Sequence, residues 1–151
     1  MRRRHVLAGA AVLAVAVSAA AVPLASGAPS SKPLLAAMTG AAEVPGPGDT
    51  NGTGAATVLV VGPTRLCYSI VVNSISKPIA AHIHSAVRGK AGDVVVPLKQ
   101  PNTGNGGVSA ACVNAARDVV SAIKASPAKF YVNVHTSDFP GGAIRGQLAA
   151  R

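Results

Sequence analysis

The sequence predicts an all-β fold: an antiparallel, Greek-key-like sandwich or barrel of about eight strands with one short helix. Three observations lead there. Short β-branched runs recur along the chain, punctuated by 16 Gly and 11 Pro, the spacing of strands separated by tight turns. Several runs alternate apolar and polar residues, the period of a strand with one face buried. Only one stretch, near residue 120, carries helical spacing, so sheet packing on sheet is the available architecture.

Taken in order, residues 34–39 form a first strand that Gly40 ends. Glu43-Val44-Pro45 opens a loop that continues through Gly46-Pro47-Gly48-Asp49-Thr50-Asn51-Gly52, a series of turn formers. Asn51-Gly52-Thr53 is formally a glycosylation sequon but reads more simply as a turn. Residues 55–61 are a strand, and Gly62-Pro63 turns the chain. Residues 66–72 alternate cleanly, with Leu66, Tyr68, Ile70 and Val72 on one face and Cys67, Ser69 and Val71 on the other. Lys77-Pro78 leads into Ala80-Ala81-His82-Ile83-His84-Ser85. Arg88-Gly89-Lys90-Ala91-Gly92-Asp93 lacks the ending and the helix of a phosphate loop and reads as a connector. Val94-Val95-Val96 is a strand stopped by Pro97, and 101–107 is a polar loop. Residues 107–113 are a strand, after which Asn114 is expected to cap a helix whose apolar stripe is Val119, Val120 and Ile123. Ser126-Pro127 stops that helix. Residues 130–136 are a strand, Phe139-Pro140-Gly141-Gly142 a tight turn, and 143–148 the last strand.

The first 28 residues are expected to be a signal peptide rather than fold. Met1-Arg2-Arg3-Arg4 is a positive start, 6–22 an uncharged Ala/Val/Leu run, and Ala25-Ser26-Gly27-Ala28 a small-residue exit. Cleavage is expected after Gly27 or Ala28, with the earlier bond favoured because Pro29 is a poor residue after a cut. Arg3-Arg4 bears a faint twin-arginine character. That leaves residues 29–151 as a single exported domain, extracellular and free of the membrane. Arg2, Arg3 and Arg4 hold three of the 14 basic residues, so the net charge of +9 falls to +6 on the remainder. Its basic residues form no run and its aromatic residues are few. Nucleic-acid binding, which wants clustered Lys/Arg with stacking rings, is therefore not expected. In an exported chain the isolated pair Cys67 and Cys112 is read as a disulfide.

The histidines carry the chemistry. Apart from His5 they are His82, His84 and His135, all on two strands. His82 and His84 share a face, about 6–7 Å apart at the backbone. His135 shares one with Tyr131 and Asn133, leaving Val132 and Val134 for the core. If the strands are neighbours the three imidazoles converge. They then make either a copper or zinc site, with a water or one oxygen ligand, or a polar cluster hydrogen-bonded to Asn133, Thr136 or backbone carbonyls. No Gly-x-Ser-x-Gly is present, and Glu43, Asp49, Asp93, Asp118 and Asp138 are scattered, so no carboxylate pair for hydrolysis is expected. Arg145 is expected to pair with Glu43 or Asp138.

The run Gly40-Ala41-Ala42-Glu43-Val44-Pro45, then Ala81-His82-Ile83-His84, Tyr131-Val132-Asn133-Val134-His135-Thr136 and Phe139-Pro140-Gly141-Gly142-Ala143-Ile144-Arg145-Gly146-Gln147-Leu148, resembles the CHRD domain. That module is named after chordin and also occurs as small secreted bacterial proteins. The resemblance covers about residues 35–148 and implies an all-β extracellular module without an established catalytic activity. Ala143 stands where the family usually has an acidic residue, so a role needing that carboxylate is not carried over. The His-x-His strand is also similar to that of copper/zinc superoxide dismutases, by analogy only. Two functions follow: a secreted non-catalytic binding module for an unidentified extracellular ligand or protein, holding copper or zinc on His82, His84 and His135, or a copper- or zinc-dependent enzyme. The metal-free polar network, with Asn133, Arg145, Glu43 and Asp138 in support, is the structural alternative.

Overall fold

A computed structural model describes residues 32–150; the expected signal peptide lies outside them. Among the described residues nine strands are present: β1 (Leu34–Thr39), β2 (Thr53–Gly62), β3 (Arg65–Asn73), β4 (Pro78–Ser85), β5 (Val94–Leu98), β6 (Gly107–Asn114), β7 (Phe130–Thr136), β8 (Ile144–Gln147) and β9 (Ala149–Ala150). One α-helix, α1 (Arg117–Ala125), joins β6 to β7 by way of a 3-10 turn, Pro127–Lys129. The strands lie side by side in the order β5-β4-β7-β8-β1-β2-β3-β6, with β9 added to β1. Every pairing is antiparallel. The sheet curls into a nearly closed barrel, as the sequence predicts.

Side chains of β3 and β6 reach across the gap to the chain just past β5, between the two ends of this order. The Lys99 N–H, just past β5, donates to Tyr68 Oη at 2.7 Å. Ser109 Oγ on β6 donates to the Lys99 carbonyl at 2.6 Å. Backbone groups that a closed ladder would satisfy are thus paired without one.

Alternation decides what fills the barrel. Leu66, Tyr68, Ile70 and Val72 of β3 all turn inward and are buried, as are Ala81 and Ile83 of β4 and Val132 and Val134 of β7. The helix contributes Val120 and Ile123 to the same cluster. Among the described residues no helix is long and apolar enough to cross a membrane.

The structure departs from the sequence reading in three places. Pro97 does not end β5, which runs on to Leu98. β5 pairs only with β4, and an edge strand tolerates a residue that cannot donate. Asn114 does not cap the helix. It is the last residue of β6, opposite Arg65, and the next N–H, of Ala115, donates to the Thr64 carbonyl at 2.9 Å. The ladder claims that backbone first, and the helix starts after Ala116 without a side-chain cap. The expected last strand, 143–148, is shorter, Ile144–Gln147; the Leu148 N–H donates to the Phe130 carbonyl, and beyond it Ala149 and Ala150 pair with β1.

Cys67 and Cys112 are directly opposed on β3 and β6 and form a disulfide, their Cα atoms 3.9 Å apart. The Phe139-Pro140-Gly141-Gly142 turn forms as expected, closed by the Gly142 N–H on the Phe139 carbonyl. Gly142 has φ 138°, and a Cβ there would lie 2.4 Å from Glu43 Oε1. The turn therefore needs glycine at this position for both conformation and space.

Candidate metal centre

The register of β4 on β7 brings the histidines together. His82 lies opposite Asn133, His84 opposite Tyr131, and Ala80 opposite His135. Because Ala81, Ile83, Val132 and Val134 face the core, these side chains share the outer face of the barrel. Ring centroids are 5.5 Å apart for His82–His84, 5.0 Å for His82–His135 and 6.4 Å for His84–His135. One ligand nitrogen from each ring lies within 4.8 Å of the others.

Although it is the outer face, much of it is covered. The segment between β4 and β5, residues 86–93, folds over it and is pinned by side chains of β8 and β4. Arg145 Nη2 donates to the carbonyls of Lys90 at 2.6 Å and Val87 at 3.3 Å. Gln147 Nε2 donates to the Ala86 carbonyl at 2.8 Å. His84 Nδ1 donates to the Gly92 carbonyl at 2.8 Å. Tyr131, Asn133 and Arg145 are consequently no more than 4 % exposed. The Arg145 guanidinium carbon sits 3.4 Å from the Tyr131 ring centroid, and that ring stacks on His84 at 4.7 Å and 8°. Guanidinium, phenol and imidazole thus form one column, with cation–π attraction on one side and ring stacking on the other.

The carbonyl contacts fix the tautomers. With Nδ1–H of His84 given to Gly92, its Nε2 is an acceptor; it is buried and has no hydrogen-bond partner. His135 Nδ1 donates to the Pro140 carbonyl at 2.9 Å, so its Nε2 also carries a lone pair. That atom faces His82 Nδ1 at 3.1 Å, and His82 is the donor of the pair. Burial pushes the His82 and His135 imidazoles below their ordinary value of 6.5; neighbouring imidazoles add to the shift, and the hydrogen bond to Pro140 opposes it at His135. Both shifts favour the neutral ring, the state in which imidazole ligates.

These features fit a borderline metal ion. Two rings have their far nitrogen anchored on a backbone carbonyl, the outer-shell arrangement that orients metal-bound histidines. Ligand nitrogens of a tetrahedral Zn²⁺ with Zn–N of about 2.0–2.1 Å stand roughly 3.3–3.4 Å apart, so the present spacing of up to 4.8 Å would have to shorten around an ion. An ion would displace one hydrogen bond, from His82 to His135, and satisfy the orphaned His84 nitrogen.

The supporting residues divide. Asn133 is at the centre of the group, 2 % exposed, and its Oδ1 has no partner. The histidines are therefore not hydrogen-bonded to Asn133, nor to Thr136, whose hydroxyl accepts from the Phe139 N–H. Asp138 is outside the group: it is exposed and bonded to Ser76 Oγ across the barrel rim. The expected direct pairing of Arg145 with Glu43 or Asp138 is replaced by the carbonyls of 86–93. Arg145 Nη1 and Glu43 Oε1 are each buried without a hydrogen-bond partner. Glu43 feels Arg145 only as a through-space attraction, which is outweighed by its own burial, and its carboxyl is pushed up to about 7. Sequence reasoning missed Gln147 and the carbonyls of Gly92 and Pro140. Only the glycines and proline of those two loops hinted at close backbone approach.

The Glu43 environment has a measurable consequence. A carboxyl ordinarily near 4.5 and raised to about 7 in the fold is protonated in the native state while the unfolded chain has released its proton. The native state thus binds more protons between those values. Stability from this group is fully present below about pH 4.5 and is lost as pH rises through about 7, by about 3 kcal/mol. Urea unfolding from pH 4.5 to 8 is expected to show this slope as the difference between the wild type and Glu43→Gln. Parallel curves for the two proteins would show that Glu43 titrates normally.

The motif residues occupy one connected part of the fold. Glu43 abuts the Gly142 turn, Pro140 holds His135, and Arg145 spans from Tyr131 to the 86–93 segment. A family model, that of the CHRD domain, matches residues 34–148. The chain belongs to the CHRD domain family. No curated protein and no solved structure matches it. In this CHRD domain the position of Ala143 is fully buried and part of the core cluster, so the carboxylate nearest in effect to Arg145 comes from Glu43.

Proposed function

We propose that this CHRD domain is a secreted binding module that holds one copper or zinc ion on His82, His84 and His135. The observation that carries the reading is His84 Nε2. It is a buried acceptor with no partner, in a cluster where one ligand nitrogen from each of three imidazoles lies within 4.8 Å of the others. A buried polar atom left unpaired destabilises a fold by about 1–3 kcal/mol, and a bound cation removes that penalty. Export is supported by the disulfide, a bond that persists in oxidising compartments, by the family, an extracellular type of module, and by the signal-like first 28 residues. On this reading the ion organises the face formed by β4, β7 and the 86–93 segment, where an extracellular ligand or protein would dock. Elemental analysis of the protein purified from culture medium without added metal tests it. One equivalent of copper or zinc per chain is expected, and metal at or below one tenth of an equivalent would overturn the reading.

A further inference from the structure

We infer that Asn133 is the fourth ligand, and that its amide oxygen makes this site select divalent ions over Cu⁺. The inference rests on the proposed three-histidine site and concerns what completes it.

Positions on a strand pair define a small lattice. Directly opposed residues have Cβ atoms about 4.5–5.5 Å apart, and diagonal ones are about 7–8 Å apart. Along one strand, side chains of the same face are separated by about 6–7 Å. Asn133 is directly opposite His82, two residues from His135 on β7, and diagonal to His84. No other position on this face of the two strands neighbours all three rings: Tyr131 is four residues from His135, and Ala80 is four from His84. Asn133 is thus the floor of the site by register alone.

Its chemistry matches that place. Asn133 is 2 % exposed, and asparagine at such depth normally has its carbonyl oxygen hydrogen-bonded. Here Oδ1 has no partner. Its cross-strand neighbour on β8, Arg145, does not supply a donor: Nη2 is directed to the Lys90 and Val87 carbonyls, the plane lies over Tyr131, and the buried Nη1 makes no hydrogen bond. Of this group two acceptors, His84 Nε2 and Asn133 Oδ1, have no partner, while His135 Nε2 is engaged by His82. Two acceptors cannot hydrogen-bond each other, whereas a cation that displaced the His82–His135 bond would serve both of them and the two rings it freed.

An amide oxygen is a hard donor. Three imidazoles and one carbonyl oxygen suit Zn²⁺ and Cu²⁺, while Cu⁺ prefers thiolate or thioether and gains little from oxygen. Asn133 therefore acts on divalent affinity and leaves Cu⁺ affinity nearly untouched.

Competition titrations against chromophoric chelators, with Zn²⁺, Cu²⁺ and Cu⁺, test this on the wild type, Asn133→Leu and Asn133→Ser. Leu removes the oxygen at similar volume. Ser keeps a polar atom but draws it away from the ion, and serves if Leu unfolds the barrel. Losing even an outer-shell partner weakens metal sites about 10–100-fold, so both variants are expected to lose at least tenfold for Zn²⁺ and Cu²⁺. Their Cu⁺ affinity is expected to change by less than about threefold. Divalent affinity equal to wild type in both variants would overturn the assignment of Asn133, and so would an equal loss for all three ions. Failure of the wild type itself to bind any of them would instead overturn the three-histidine site.

Discussion

Arg145→Leu is expected to destabilise the domain by about 3–5 kcal/mol, the range for breaking a buried charged network by removing one member. The guanidinium is 2 % exposed, donates to two carbonyls of the 86–93 segment and stacks on Tyr131 at 3.4 Å. Its loss leaves those carbonyls without their charged donor and one face of Tyr131 uncovered. The effect should be local as well as global: amide exchange in 86–93 should rise more than in β2 or β3, because Arg145 links that segment to the barrel. Arg145→Lys is not expected to restore stability fully, since a compact ammonium could still donate to both carbonyls but has no planar face to lie on the Tyr131 ring. Denaturant unfolding and residue-resolved exchange check both points. A loss below about 0.5 kcal/mol, the level of an ordinary surface substitution, would show that the column does not support the fold.

Removal of the disulfide is expected to be of similar size. Cys67 and Cys112 are 45 residues apart in sequence, and opening a loop of that length releases unfolded-chain entropy worth about 4 kcal/mol. The double variant Cys67→Ser, Cys112→Ser tests this without a lone thiol. Its β3–β6 ladder is expected to persist, because Leu66, Tyr68, Ile70 and Val72 stay in the core, so the variant should fold with a lower denaturant midpoint and an unchanged far-ultraviolet spectrum. A midpoint equal to that of the wild type would mean that the unfolded chain is not constrained by the bond.

The strands were legible in the sequence wherever the pleat buries one face. The alternation of β3 and the valines of β7 specify their faces because each inward position is apolar. Pro97 and Asn114 misled for a shared reason. Their local preferences are real, but the ladder sets the outcome, through an edge that needs no donor at Pro97 and through pairing with Arg65 at Asn114. The convergence of the histidines was half legible. Spacing put His82 and His84 on one face, but their pairing with β7 is a non-local register that no local pattern records. The burial of Tyr131, Asn133 and Arg145 was not legible, because it comes from residues 86–93 folding back over the outer face. That segment is held by backbone carbonyls of Val87, Lys90 and Gly92, and carbonyls leave no trace in residue type. Arg145 accordingly looked like one half of a salt bridge, whereas it acts as a clamp on backbone.

The central claim is that the three histidines form one metal site. Calorimetric titration of chelator-treated wild type and His84→Ala with Zn²⁺ and Cu²⁺ tests it most directly. The wild type is expected to take up one equivalent. Because burial and the neighbouring rings hold His82 and His135 below the ordinary 6.5, protons should begin to compete only at lower pH than for free imidazole. His84→Ala should lose the stoichiometric phase at every pH while remaining folded. Equal weak binding by the two proteins, with no single-equivalent transition in the wild type, would contradict the account and leave His82, His84 and His135 as a polar cluster.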